Sequence, residues 1–197
     1  MRIELVGSPG CGKTTLARAF MDLGVNTCFE SVLKNPYLEK SYSDDSYRFP
    51  AQLQFALMKF DDYEKHKGAP LTVYEQGIAT SLAFNSSIVD DLERVVADNA
   101  FVALENRYEE AEFVVNVTCD VPEQLKRIHS RGRGFETLTA EKLHDITELV
   151  SMFASEYDNV TTVNTTNWGF SDYSAFAFEF LLKHRLDMLC NLAKKVV

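Results

Sequence analysis

Nine residues near the start of the chain constrain its fold more than any other stretch: Gly7-Ser8-Pro9-Gly10-Cys11-Gly12-Lys13-Thr14-Thr15. They fit the spacing GxxxxGK[ST]. They follow the apolar run at residues 3–6 and open a helical pattern with Leu16, Ala17 and Phe20 on one face. A strand, a glycine turn and a helix in that order form a phosphate-binding loop. The glycines let the backbone curl so that consecutive N–H groups point inward at phosphate oxygens, and the helix N-terminus adds partial positive charge. Lys13 is expected to reach the β- and γ-phosphates of a nucleoside triphosphate, and Thr14 to offer its hydroxyl to Mg²⁺. The motif says nothing about the acceptor.

Four more apolar runs read as strands, at 26–29, 71–74, 113–117 and 160–163, with helical patterns between them. One pattern runs from Phe49 to Tyr63 with apolar residues at Leu53, Leu57 and Phe60; another runs from Thr80 to Asn106. Strands alternating with helices imply a parallel sheet covered on both sides. Ligands of such a sheet collect at the carboxyl ends of its strands. A length of 197 residues suits a single α/β domain over 1–197, and a hydrophobic fraction of 46% is that of a globular chain.

Lys plus Arg is 20 against 29 Asp plus Glu, a net charge of −9. That balance disfavours unspecific nucleic-acid binding, which phosphate neutralisation drives. No run approaches the length of a membrane span, and the N-terminus enters the glycine loop too early for a signal peptide. Cys11, Cys28, Cys119 and Cys190 fit neither a CxxC pair nor a disulfide framework, so they read as reduced thiols of a cytoplasmic protein. His66, His129, His144 and His184 show no metal-ligand spacing.

Two carboxylates close strand candidates: Glu30 after the second and Glu75 after the third. Both would point into the crevice beside the phosphate loop. A carboxylate there can help hold Mg²⁺, take a proton from an attacking hydroxyl, or simply be solvated. Three of the nine arginines, Arg127, Arg131 and Arg133, fall within seven positions. Arg127 and Arg131 share a helix face, and Gly132 and Gly134 permit the bending of a lid. Guanidinium groups stabilise the charge that spreads over a transferring phosphoryl group. The blander reading is a solvated basic helix end.

Together these segments resemble the deoxyribonucleoside kinases, the family of deoxycytidine, deoxyguanosine and deoxyadenosine kinases. The likeness runs from residue 1 to about 165. Glu30 followed by Asn35-Pro36-Tyr37 looks like the family glutamate and its Asn-Pro-aromatic, and the resemblance makes Glu30 the base for the sugar 5′-hydroxyl. Tyr42 matches the tyrosine that holds the 3′-hydroxyl. The segment Tyr47-Arg48-Phe49-Pro50-Ala51-Gln52 resembles the aromatic-led stretch that grips the base, with Gln52 on the base edge and Tyr47 and Phe49 lining the pocket. Gln suits this task because its amide donates and accepts at once. Phe55 and Phe60 read as core. Residues 127–136 look like the family lid, and Glu136 matches the acid that binds the 3′-hydroxyl.

The resemblance implies a P-loop kinase fold with a five-stranded parallel sheet in the order 2-3-1-4-5 and a helical lid. It implies transfer of the γ-phosphoryl group of ATP to a deoxyribonucleoside. Glu30, Lys13, Arg131 and Arg133 would be catalytic, and Gly7 to Thr15 with Arg127 and Arg131 would bind ATP. Thr14 and Glu75 would organise Mg²⁺. The chain departs from the pattern in three places. Gln76 in Glu75-Gln76-Gly77 replaces an arginine beside the 5′-oxygen and phosphate, so the substrate contact there becomes an uncharged amide. Lys59 and Ser81 stand where an Arg–Asp pair reads the base, so no base preference carries over. Glu141-Lys142-Leu143 replaces a tyrosine.

Two rival readings remain at this level. A nucleoside monophosphate kinase of thymidylate kinase type needs arginines for the acceptor phosphate, yet Arg48 is the sole arginine between Asp22 and Phe84. A non-catalytic nucleotide-binding protein would have no need of Lys13 and the lid. Residues 170–197 form a helical pattern whose apolar stripe (Phe176, Phe180, Leu181, Leu186, Leu189) would pack on the domain or on a second copy in a homodimer.

Overall fold

A computed structural model describes residues 1–186. Five strands, β1 (Arg2–Val6), β2 (Asn26–Cys28), β3 (Thr72–Tyr74), β4 (Phe113–Thr118) and β5 (Val160–Asn164), pair in parallel in the order β2-β3-β1-β4-β5. β1 is central, with Ile3 opposite both Val73 and Phe113. All five lie within about a residue of the runs read as strands; β1, β3 and β4 are buried and read as apolar stretches with little alternation, while the edge strands β2 and β5 are only partly buried.

Side-chain alternation along the strands divides the core. Ile3, Leu5, Val73, Val115 and Val117 face α1 (Lys13–Asp22) and α8 (Phe170–Lys183), where Leu16, Ala17 and Phe20 meet Ala177, Phe180 and Leu181. The Phe20 and Phe180 rings meet edge to face at 5.9 Å. Fully burying a side chain such as Phe20 stabilises the fold by roughly 1.5–3 kcal/mol. The opposite face carries α3 (Arg48–His66), α4 (Ile78–Asn85), α5 (Asp91–Tyr108) and α7 (Ala140–Ala154). Two elements flank the cleft: α2 (Leu38–Ser41) and α6 (Val121–Ser130).

Glu4 of β1 is buried on that second face, where Tyr63 and the Ile78 N–H donate to its carboxylate and Arg2 pairs with it at 3.2 Å. A buried charge of this kind persists only when paired and hydrogen-bonded.

Three expectations change. α3 packs a partly buried Phe60 against the core as expected but does not bury Leu57, which is 62% exposed; Ala51, Gln52, Ala56, Lys59 and Tyr63 are buried instead. Small and polar side chains face inward because that side borders a cleft and a polar network. The pattern from Thr80 to Asn106 is two helices. Ser86 and Ser87 turn their hydroxyls back onto the Ala83 and Phe84 carbonyls, and Asp90 caps α5 by accepting from the Glu93 N–H at 2.9 Å. The lid is helical only through Ser130. Gly132, at φ +71°, ends α6 with its N–H on the His129 carbonyl, and residues 131–138 are turns followed by irregular backbone. In the C-terminal stripe, Phe180, Leu181 and Leu186 are buried against the domain; Leu189 and Cys190 lie outside the described residues.

Candidate active site

The phosphate loop links β1 to α1, and its glycines are there for geometry. Gly12 has φ +102°, and a Cβ on it would run into the Tyr173 ring. Gly10 has φ +80° and lies against the Gln124 carbonyl. The loop is tied down from several elements. The Gly7 N–H donates to Thr80 Oγ1 at 3.0 Å, the Ser8 hydroxyl to Gln124 Oε1 at 2.8 Å, and Thr165 Oγ1 to the Cys11 carbonyl at 2.6 Å. Lys13 folds back, its ammonium on the Gly7 and Ser8 carbonyls at 2.6 and 3.0 Å. Arg127 sits behind the loop. Its guanidinium donates to the Thr165 carbonyl at 2.8 Å and Gly10 carbonyl at 3.4 Å, and pairs with Glu123 at 3.0 Å.

Across the crevice, Glu75 joins two groups. One carboxylate oxygen accepts the Thr14 hydroxyl and the other accepts the Glu30 N–H at 3.1 Å. Burial pushes the Glu30 carboxyl up to about 7. Lys59 is the foremost charge opposing that rise, Glu75 adds to it, and Lys13 and Arg133 also oppose it. Burial likewise lifts the Tyr42 phenol to about 12, with Glu136 adding to the effect, so Tyr42 is a neutral donor at ordinary pH. Glu136 gathers the lid: Arg131 reaches it at 2.5 and 2.8 Å, and Arg133 at 3.2 Å.

These groups surround a cleft of about 600 Å³. It brings together Pro9, Gly10, Gly12, Lys13, Thr14, Thr15, Glu30, Tyr42, Gln52, Glu75, Gln76, Arg127, Arg131, Arg133 and Glu136. Gly7, Ser8 and Cys11 are buried and do not line it. Tyr47 and Phe49 are not brought to it either; Tyr47 stacks on Tyr37 at 6.4 Å, with the Lys40 ammonium over its ring. Phe55 and Phe84 line the cleft instead. Phe55 lies one helical turn beyond Gln52, so helix periodicity carried a signal for it. Phe84 stands in the same relation to Ser81, which also lines the cleft. Leu138, Ile146 and Leu149 complete the apolar wall and carry no such signal. Arg48 reaches the rim, held by Asp45 and the Ser87 carbonyl, each at 2.6 Å.

The chain is similar to known nucleoside kinases. A deoxyguanosine kinase of Bacillus subtilis (strain 168) is 26% identical over 201 residues, covering 95% of this chain and 97% of that one. A deoxyadenosine/deoxycytidine kinase of the same organism is 27% identical over 157 residues, 72% of each chain. Among solved structures, a deoxyadenosine kinase from M. mycoides with the products dCMP and dCDP bound superposes with a TM-score of 0.76 at 20% identity, over 93% of this chain and 100% of that one. The family model described as deoxynucleoside kinase matches residues 3–190, and the chain therefore belongs to the deoxynucleoside kinase family, phosphotransferases that act on a nucleoside hydroxyl.

Proposed function

We propose that in this chain's transfer of a phosphoryl group from ATP to a deoxyribonucleoside, Glu30 is the general base for the 5′-hydroxyl. The observation that carries this is a carboxylate held near neutrality beside the phosphate loop, where an acceptor would stand. Such a group can take a proton at cellular pH and return it to water afterwards. The freed oxygen attacks the γ-phosphorus, the bond to the β-phosphate oxygen breaks, and ADP leaves. Lys13, Arg131 and Arg133 stabilise the charge on the transferring group. Tyr42 and Glu136 hold the 3′-hydroxyl, which gives the Glu136 cluster a reason to rearrange when a nucleoside enters. The Gln52 amide reads the base edge, and Gln76 contacts the substrate near its 5′ end. The aromatic wall falls to Phe55 and Phe84 rather than to Tyr47 and Phe49.

The Thr14 hydroxyl and Glu75 carboxylate are hard oxygen donors on adjoining segments, a set that suits Mg²⁺. When bound, that ion would neutralise phosphate charge. A cytoplasmic setting fits the buried free thiols Cys11, Cys28 and Cys119. A homodimer has a surface to use in the exposed face of α5.

The test offers ATP and Mg²⁺ with each of the four deoxynucleosides and each monophosphate, and follows ADP release. Release with at least one deoxynucleoside and with no monophosphate is expected; release with monophosphates alone would reverse the reading. Arg48, already engaged by Asp45 and Ser87, is poorly placed to take an acceptor phosphate.

A further inference from the structure

Lys59 is a buried cation beside the cleft that the phosphoryl-transfer scheme leaves unused. It lies on the inward face of α3 and is 8% exposed. Its ammonium donates to the Gln76 carbonyl, at the turn after β3, and lies 5.6 Å from the Tyr63 ring centroid. Among the described residues it forms no direct ion pair. Burying an ammonium is unfavourable unless hydrogen bonds and opposing charge compensate, and a neutral carbonyl supplies only the first.

The opposing charge lies across a second, much smaller cavity of about 20 Å³ behind the cleft. Its walls include Lys59, Glu30, Gln76, Asp62, Cys28 and Tyr74. A space of this size takes one water, and Lys59, Glu30 and Asp62 give that water partners. Two carboxylates therefore compete for Lys59. Asp62 is partnered by the Cys28 thiol, whose pKa it helps to raise. Among the described residues Glu30 receives a hydrogen bond from no other side chain, and its own backbone N–H is tied to Glu75. The other charges around Glu30 are Glu75 from the end of β3, Lys13 from α1 and Arg133 from the lid. Lys13 is folded onto its loop and Arg133 onto Glu136. Of the three cations around Glu30, Lys59 is the one that comes from α3, and among the described residues no carboxylate is bound to it.

We propose that Lys59 is a positioning residue for the phosphoryl transfer: anchored on the Gln76 carbonyl, it presents its ammonium across the small cavity to the back of the Glu30 carboxylate and holds that carboxylate toward the acceptor hydroxyl. The proposal rests on the reading of Glu30 as the base. It also accounts for the uncharged Gln76 beside the acceptor. The positive charge on this side of the cleft comes from α3, and the strand end supplies the carbonyl that anchors it.

The experiment measures kcat and KM for the deoxynucleoside, with melting temperature and ATP affinity as controls, in Lys59→Met, Lys59→Arg, Glu30→Gln and Lys59→Met/Glu30→Gln. Met keeps the length of the stem and removes a buried charge, so the fold should hold. Lys59→Gln is the second variant if it does not. Lys59→Met should lower kcat by about 10- to 100-fold, the usual cost of losing a partner that orients a reacting group. KM should move little, and Lys59→Arg should recover most of the loss. In the Glu30→Gln background, Lys59→Met should cost almost nothing more, because the two residues act as one unit. A raised KM at unchanged kcat would make Lys59 a base contact and overturn the proposal. So would equal losses from Lys59→Met with and without Glu30. If Glu30→Gln turns over at the wild-type rate, the base assignment falls and this proposal falls with it. If Glu30→Gln is slow and Lys59→Met is not, only the Lys59 proposal is lost.

Discussion

As the proposed general base, Glu30 would set the pH range in which the cleft can work. Its carboxyl, pushed by burial from about 4.5 to about 7, must be ionised to accept a proton. Below pH 7 it is mostly protonated, so kcat/KM for the nucleoside should climb as pH rises through about 7 and level off above. Glu30→Gln should abolish that limb and lower kcat by about 10²–10⁴-fold. A rate that is flat between pH 6 and 8 would remove the assignment. The same shift has a stability consequence of opposite sense. A folded-state value above the unfolded one means that the folded protein binds the proton more tightly. The stabilisation is therefore complete below about 4.5 and is lost as pH climbs through about 7. Glu30→Gln, which mimics the protonated form, should raise the melting temperature of the empty protein at pH 8 and change it little at pH 4.5. Thermal scans at the two pH values check this, and a variant less stable at pH 8 would contradict it.

Among the elements, α6 shows how the residues of one sequence motif can be put to different uses. Arg127 is spaced as one of three lid cations, yet its guanidinium is engaged by Thr165, Gly10 and Glu123, and so braces the phosphate loop from behind. Arg127→Met should lower the melting temperature and weaken ATP binding by about tenfold, the worth of a charged hydrogen bond or so. At saturating ATP it should leave kcat closer to wild type than Arg131→Ala does. Calorimetric ATP titration and steady-state rates separate the two roles; equal kcat losses in both variants would make Arg127 a lid cation after all. The inner strands were legible because burial on two faces leaves apolar runs, the edge strands β2 and β5 from short stretches containing β-branched residues, and the phosphate loop because its chemistry is local. The inner face of α3 was not. Leu53 and Leu57 outrank Ala56 and Lys59 in hydrophobicity, yet the helix turns its polar and small residues inward to Gln52's cleft and to the Glu4 network. Hydrophobicity ranks transfer from water and cannot register a side chain buried for its charge. Phe55 illustrates the converse: an aromatic residue fits a core and a cleft wall equally well by composition, and its place one turn beyond Gln52 was the one sequence cue to the cleft.

For the molecule as a whole, charge and apolar surface are both unevenly distributed. The chain carries −9, yet the cleft is lined by Lys13, Arg48, Arg127, Arg131, Arg133 and Lys142 against Glu30, Glu75, Glu136 and Asp145. The cleft is thus locally cationic on an acidic body, which focuses a polyanion there and repels it elsewhere. The apolar imbalance lies on α5. Leu92, Val95, Val96 and Val102 are 74%, 51%, 44% and 41% exposed, at spacings that put them on one side of an 18-residue helix about 27 Å long. The other side, through Ala97, Phe101 and Leu104, packs into the core beside Ala56 and Tyr63 of α3. This exposed apolar face, about 15 Å from Leu92 to Val102 with Asn99 among its apolar side chains, offers a second copy a patch to meet across a two-fold axis, where the same surface faces itself. The C-terminal stripe is a weaker candidate, since its Phe180 and Leu181 are already buried. If a second copy covers α5, the protein should sediment as a dimer at micromolar concentration, and Leu92→Glu/Val102→Glu should sediment as a monomer with an unchanged circular dichroism spectrum. Because α5 supports the helix that carries Gln52 and Lys59, the monomeric variant should also melt earlier. A wild type that sediments as a monomer would sink this face as an interface, as would a variant that remains dimeric.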